Sequence, residues 1–156
     1  MVLNCLNNGV FLRKFNFTLI ALIPKVEKPI KINFSVQSIK VGQAYTLNNI
    51  YYNSNSAELE QKSNIVIDEF MDFLKANPSI KVEIHGHTDN VGEHKNNMAL
   101  ASDRAFTVYS KLLDQGIPKS QLLGFKGFGE TQPIAPNDSE AHKAKNRRTE
   151  FIVIEK

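Results

Sequence analysis

The sequence predicts an α+β fold: a two-layer sandwich in which helices pack on one mixed sheet, in the order βαβαββ, with one extra strand at the N-terminal side. Three observations carry this. Segments of period-two alternation, such as Lys81-Val82-Glu83-Ile84-His85-Gly86-His87, mark half-buried strands. Two long stretches show apolar residues at helical spacing and end in stop signals. The last two strands are separated only by a proline-containing loop and a short helical piece, so they close the sheet without a further long crossover helix.

Taken in order, residues 1–29 are poorly patterned and end in Pro24-Lys25-Val26-Glu27-Lys28-Pro29, which reads as a linker. Ile30–Val36 alternates strictly and is the extra strand. After a turn at Val41-Gly42-Gln43, residues 45–52 are rich in β formers and are expected to form one strand, stopped by Asn53-Ser54-Asn55-Ser56. Ser56 is expected to cap a helix running to Ala76, with Leu59, Val66, Phe70, Phe73 and Leu74 on its buried stripe and Asn77-Pro78 as its stop. A strand over 81–87 leads to a second helix over about 95–115, whose stripe is Ala101, Ala105, Val108, Leu112 and Leu113. Gly116 supplies a left-handed cap and Pro118 prevents continuation. Strands are expected over 122–128 and 149–154, with a short helix over 139–145 between them. Gly124, Gly127 and Gly129 let the chain bend or turn tightly.

Composition narrows the function classes. A chain of 156 residues with 42% hydrophobic content is expected to hold one domain with its own core. The division expected is an N-terminal segment over 1–43 and a folded domain over 44–156. A net charge of +3 fits an acidic ligand but does not argue for nucleic acid. The basic run Lys143-Ala144-Lys145-Asn146-Arg147-Arg148 lacks the interleaved aromatics that a nucleic-acid surface wants. One cysteine, Cys5, excludes an internal disulfide framework and a cysteine metal cluster. Phe15–Ile23 is too short and too polar for a membrane span of ~20 apolar residues. With Arg13-Lys14 before it, this stretch imitates a secretory signal, but Pro24-Lys25 stands where a small-residue cleavage site would be.

The chemistry concentrates at Ile84-His85-Gly86-His87-Thr88-Asp89-Asn90-Val91-Gly92 and the helix that follows. Asp89 lies just past the end of a strand, where α/β units commonly place ligands. Asn97 and Arg104 are two helical turns apart and share a face with Ala101 between them. An Arg fork takes a carboxylate and an Asp takes an ammonium, so the pair suits a ligand carrying both charges, as an amino acid does. The plainer alternative is that Asp89 and Arg104 bridge each other or cap loop and helix. A competing pattern is His85-x-His87-x-Asp89, the spacing of the first half of a zinc-hydrolase motif, with His94 and His142 as further donors. Residue 90 is Asn where that motif has His, and no metal or cofactor is expected.

Gly86–Gly92, Asn97, Leu100, Arg104-Ala105, Val108, Gly116-Ile117, Gly127-Phe128-Gly129-Glu130, Pro133-Ile134-Ala135, Asn137 and Asn146-Arg147-Arg148 together resemble the OmpA-like C-terminal domain, the peptidoglycan-associated module found also in Pal lipoproteins and MotB stators. The resemblance covers about residues 46–156, and Tyr51–Leu59 resembles the family's opening strand and loop. It implies a non-enzymatic domain that grips the peptidoglycan stem peptide at a diaminopimelate-type residue. On that resemblance Asp89 holds the ammonium, Arg104 the carboxylate, Asn97 supports both, Thr88 and Asn55 complete the wall, and Arg147 approaches from the rim. It also implies a periplasmic, outer-membrane-associated tether, attached through an upstream or missing segment, with peptidoglycan as partner and other envelope proteins as further partners. Cys5 lies too early for a lipobox, and neither an eight-stranded barrel nor a transmembrane anchor is visible. Two departures stand out. Ala101 replaces a usual Ser and is expected to remove a hydroxyl near the clamp. His142-Lys143-Ala144 replaces Gly-Arg-Ala and is expected to alter a turn. A protein-interaction adaptor without wall binding, and a zinc-dependent hydrolase using His85, His87 and Asp89, are the alternative functions.

Overall fold

The computed structural model describes residues 39–53 and 55–156. The linker prolines and the strand expected at Ile30–Val36 lie outside them. Four strands form one mixed sheet: β1 (Ala44–Thr46), β2 (Lys81–Gly86), β3 (Leu122–Gly127) and β4 (Thr149–Glu155). Their order across the sheet is β1-β4-β2-β3. β4 is antiparallel to both β1 and β2, and β2 is parallel to β3. The helices are α1 (Asn64–Ala76), α2 (His94–Asp114) and the short α3 (Glu140–Asn146). This is the predicted two-layer α+β architecture. Among the described residues no helix is long and apolar enough to cross a membrane.

The strand register explains the two faces. Val82 pairs with Val153 and Ile84 with Phe151, so these four fully buried side chains point to one side. There they meet Val66, Ile67, Phe70 and Leu74 of α1 and Ala105, Val108 and Leu112 of α2. Phe151 sits among aromatic rings, 4.6 Å from Phe70 and 5.3 Å from Tyr45 between centroids. The opposite face carries Glu83, His85 and Glu150, and there Lys126 Nζ donates to Glu83 Oε2 at 2.9 Å. Lys126 and then His85 hold the Glu83 carboxyl below its ordinary range.

Two sequence expectations need correction. Residues 45–52 do not form one strand: β1 ends at Thr46, and Asn49 adopts φ 65° in a turn. The Asn48-Asn49 pair is turn chemistry, since Asn tolerates left-handed backbone, and it outweighs the β propensity around it. Nor does Ser56 cap a helix. Its hydroxyl accepts from Glu58 N at 2.9 Å inside a loop closed by Asn53 N to Glu58 O and Glu60 N to Tyr51 O. Helical structure starts with a 3-10 turn at Gln61–Ser63, and α1 follows from Asn64. Gly116 does take the left-handed conformation expected of a helix cap, with φ 91°.

α2 lies unusually near the sheet, and two glycines allow it. A Cβ added at Gly86 would stand 2.0 Å from the Ala101 carbonyl oxygen, and one at Gly127 would stand 2.3 Å from Ser102 N. Both obstacles are helix backbone, which has no rotamer to give way. Gly124 differs. It follows a bulge, where Val82 and Glu83 face Leu122 and Gly124, and a Cβ there would meet nothing within 4 Å. Gly86→Ala and Gly127→Ala are therefore expected to lower unfolding free energy by ~1–3 kcal/mol or more, the overpacking range, while Gly124→Ala stays within roughly 1 kcal/mol of the parent. Urea denaturation of the three variants measures this. A Gly86→Ala protein as stable as the parent would remove the close-approach account.

Candidate functional site

The loop from His87 to Glu93 is tied to the sheet at both its neighbours. His87 N donates to Arg148 O at 3.0 Å, and Thr88 N donates to Gly129 O at 2.9 Å. Thr88 Oγ1 donates to Asp89 O at 2.9 Å. Asp89 Oδ1 accepts from Val91 N at 2.9 Å, an Asx turn that fixes the carboxylate against its own backbone. Gly92, at φ 100°, turns the chain into α2. Asn97 Nδ2 reaches back to Asp89 O at 3.4 Å.

Arg104 comes from the buried stripe of α2, in line with Asn97 and Ala101. Its Nε donates to Ser56 O at 3.0 Å, and its guanidinium lies 4.8 Å above the Tyr52 ring. Among the described residues no hydrogen bond engages its terminal nitrogens, although the residue is only 8% exposed. Burial pulls the Arg104 pKa below the ordinary value, against the raising effect of Tyr52. Asp89 and Arg104 do not bond to each other. Asp89 Oδ2 instead accepts from Arg147 Nη1 at 2.6 Å, and Arg147 Nη2 donates to Glu140 Oε1 at 2.5 Å. These bonds, Asp89 first, raise the Arg147 pKa.

All six residues singled out by sequence, Asn55, Thr88, Asp89, Asn97, Arg104 and Arg147, line one cleft of about 450 Å³. Five further residues line it, Tyr52, Asn53, Val91, Leu100 and Glu140, to which the sequence assigned no role in the site. Tyr52 was counted into a strand. It shares a 2.7 Å hydrogen bond with Thr149 Oγ1 and donates to Arg104 O at 3.3 Å, and burial pushes its phenol up to about 12. Glu140 carries no sequence signal beyond the preference of an acidic side chain for a first helical turn.

Ala101, one of the two departures, is fully buried with its backbone against Gly86 and does not line the cleft. His142 sits inside α3, where Ser139 Oγ accepts from its backbone N–H, and no left-handed turn is required of it. The histidines of the zinc-hydrolase pattern do not converge. His85 Nε2 lies 3.1 Å from Glu83, His94 Nδ1 2.7 Å from Glu130 and His142 Nδ1 2.5 Å from Asp138. Among the described residues no three His, Cys, Asp or Glu side chains are arranged to hold a metal ion.

Residues 51–147 match the family described as the OmpA family. The chain belongs to the OmpA family. It is 37% identical over 106 residues to the probable lipoprotein YiaD of Escherichia coli (strain K12), covering 68% of this chain and 48% of that protein. It is 34% identical over 104 residues to the peptidoglycan-binding protein ArfA of Mycobacterium tuberculosis (strain ATCC 25618 / H37Rv), covering 67% of this chain and 32% of that protein. The chain thus spans about half of the first relative's length and about a third of the second's. The periplasmic domain of Helicobacter pylori MotB superposes with a TM-score of 0.63 at 28% identity, covering 72% of this chain and 81% of that one. The peptidoglycan-associated lipoprotein of Burkholderia pseudomallei superposes at 0.59 and 26%, covering 67% and 87%.

Beneath the loop lies a buried ionic group. Arg148 Nε donates to Glu150 Oε1 at 2.5 Å, and His87 Nε2 stands 3.4 Å from Glu150 Oε2. Burial alone would raise the Glu150 carboxyl, but His87 and Arg148 outweigh it and hold the pKa at about 2, below its ordinary 4.5. Because the folded value is the lower one, the unfolded chain binds more protons between those two values. This group's contribution to stability is therefore present above pH 4.5 and lost as the pH falls through about 2. Urea midpoints measured across that window are expected to drop less steeply for Glu150→Gln than for the parent. Parallel slopes would show that the carboxylate is not held this way.

Proposed function

We propose that this chain binds peptidoglycan non-covalently, gripping the zwitterionic end of a diaminopimelate-type residue of the stem peptide in the cleft. The observation that carries this is Arg104: a buried guanidinium with unengaged terminal nitrogens, opening into the same cavity as Asp89. A buried cation without a counter-ion is costly, and a ligand carboxylate relieves that cost through a bidentate pair. Asp89 takes the ligand ammonium, sharing or displacing Arg147 at the rim. Asn97 braces the Asp89 backbone, and Thr88 and Asn55 form the wall. Family membership and the peptidoglycan-binding relative support the choice of polymer.

In this reading the cleft binds: Thr88 Oγ1 is spent on Asp89 O, and the Asp89 and Glu140 carboxylates are both paired with Arg147. In this reading the domain tethers its carrier to the cell wall in the periplasm, at the outer membrane where the carrier is attached there.

Pelleting of the purified chain with insoluble diaminopimelate-type peptidoglycan tests the proposal. The parent is expected to co-pellet. Asp89→Ala and Arg104→Ala are expected to weaken binding roughly 30-fold or more, matching the ~2 kcal/mol lower bound for truncating one partner of a buried charge pair. Circular dichroism should show both variants folded. A folded parent that stays in the supernatant would replace wall binding with the protein-adaptor reading.

A further inference from the structure

To take a carboxylate with both terminal nitrogens, a guanidinium must be held in one orientation, and a free arginine side chain has many rotamers. Two contacts restrict Arg104. Its Nε donates to Ser56 O at 3.0 Å, and a flat side of the guanidinium lies over the Tyr52 ring, 4.8 Å from the centroid. Both contacts come from one loop. Ser56 and Tyr52 belong to the segment closed by Glu60 N donating to Tyr51 O at 2.9 Å and Asn53 N donating to Glu58 O at 2.9 Å. One edge and one face of the group are thus covered. The edge that carries the terminal nitrogens remains, and among the described residues nothing is hydrogen-bonded to it.

Tyr52 supplies more than a ring. Its hydroxyl donates to Arg104 O at 3.3 Å and shares a 2.7 Å hydrogen bond with Thr149 Oγ1. With the phenol proton given to Arg104 O, the Thr149 hydroxyl is the donor of the second bond. The tyrosine therefore grips Arg104 twice, at its main-chain carbonyl and at its guanidinium, and is itself anchored on β4. Burial pushes the phenol up to about 12, against the lowering effects of Thr149 and Arg104. At neutral pH Tyr52 is thus an uncharged donor, and it offers Arg104 no anion in competition with a ligand carboxylate. A phenylalanine here keeps the ring and loses the ties to Arg104 O and Thr149; an aliphatic side chain loses both.

We propose that Tyr52 is a positioning residue that sets the carboxylate preference of the cleft by aiming Arg104. The inference rests on the wall-binding reading. It adds the residue that separates a stem peptide whose diamino acid ends in an ammonium and a carboxylate from a lysine-type peptide that ends in an ammonium alone. Asp89 serves both peptides. Only the first uses Arg104, and therefore Tyr52.

Titrations of the isotope-labelled chain followed by NMR test this with two soluble probes. They are the tripeptide L-alanyl-γ-D-glutamyl-meso-diaminopimelate and its counterpart with L-lysine in place of diaminopimelate. Tyr52→Leu is expected to weaken binding of the diaminopimelate tripeptide about tenfold or more, the scale of a desolvated cation–π contact and a hydrogen bond together. Tyr52→Phe, which keeps the ring, is expected to weaken it about fivefold. The lysine tripeptide is expected to bind the parent and both variants alike. In an Arg104→Ala background Tyr52→Leu is expected to cost nothing further, because no guanidinium is left to aim. Thermal transitions check that each variant is folded; if Tyr52→Leu fails to fold, Tyr52→Phe carries the same comparisons. A folded Tyr52 variant that binds like the parent overturns the proposal. So does equal weakening of both tripeptides, or a loss that adds in full to that of Arg104→Ala, since either makes Tyr52 a support of the fold alone. A parent that binds neither tripeptide removes the cleft reading, and the role of Tyr52 with it.

Discussion

The backbone contact between α2 and the β2–β3 pair sets everything else in this domain. Ala101 and Ser102 rest on Gly86 and Gly127 with no side chain between them. The helix is thereby pinned about one turn from Asn97 on one side and one turn from Arg104 on the other. The same Gly86 ends β2 and begins the loop that carries Asp89. The relative position of acid and base thus comes from main chain resting on main chain, which is stiffer than any packing of rotamers.

Within the cleft the two arginines behave differently. Arg104 is fixed, its Nε held by the Ser56 carbonyl and its plane lying over Tyr52. Arg147 is partly exposed and holds Asp89 at one end and Glu140 at the other. The Glu140 end is exposed, where such a pair is worth little net energy, whereas the Asp89 carboxylate is buried. One guanidinium is therefore fixed by buried partners, and the other links a buried carboxylate to an exposed one.

Much of this was legible in the sequence, for reasons that differ from residue to residue. β2 and α2 carry strong periodicity and local stop signals, so their extents and the shared face of Asn97 and Arg104 follow from spacing alone. Grouping Asn55, Thr88 and Arg147 with them needed the family resemblance, because no local rule joins positions so far apart. The failures are of the same long-range kind. Tyr52 is placed by Thr149, 97 residues later, so its strand-like neighbourhood misled. Ser56 looked like a helix cap until the Tyr51–Glu60 loop claimed the surrounding backbone.

The strand order carries a consequence for how the domain comes into being. β4 lies between β1 and β2, so among the described strands β1 has no sheet neighbour until residues 149–155 arrive. During synthesis β2 and β3 can pair in parallel, but that pair lacks Phe151 and Val153, which fill the middle of the core. Pairings so distant in sequence form late and leave strand edges open while they wait. The same terminal stretch delivers Arg147 to the Asp89 carboxylate and Thr149 to the Tyr52 hydroxyl. The same late-arriving segment thus completes both the middle of the core and one wall of the cleft.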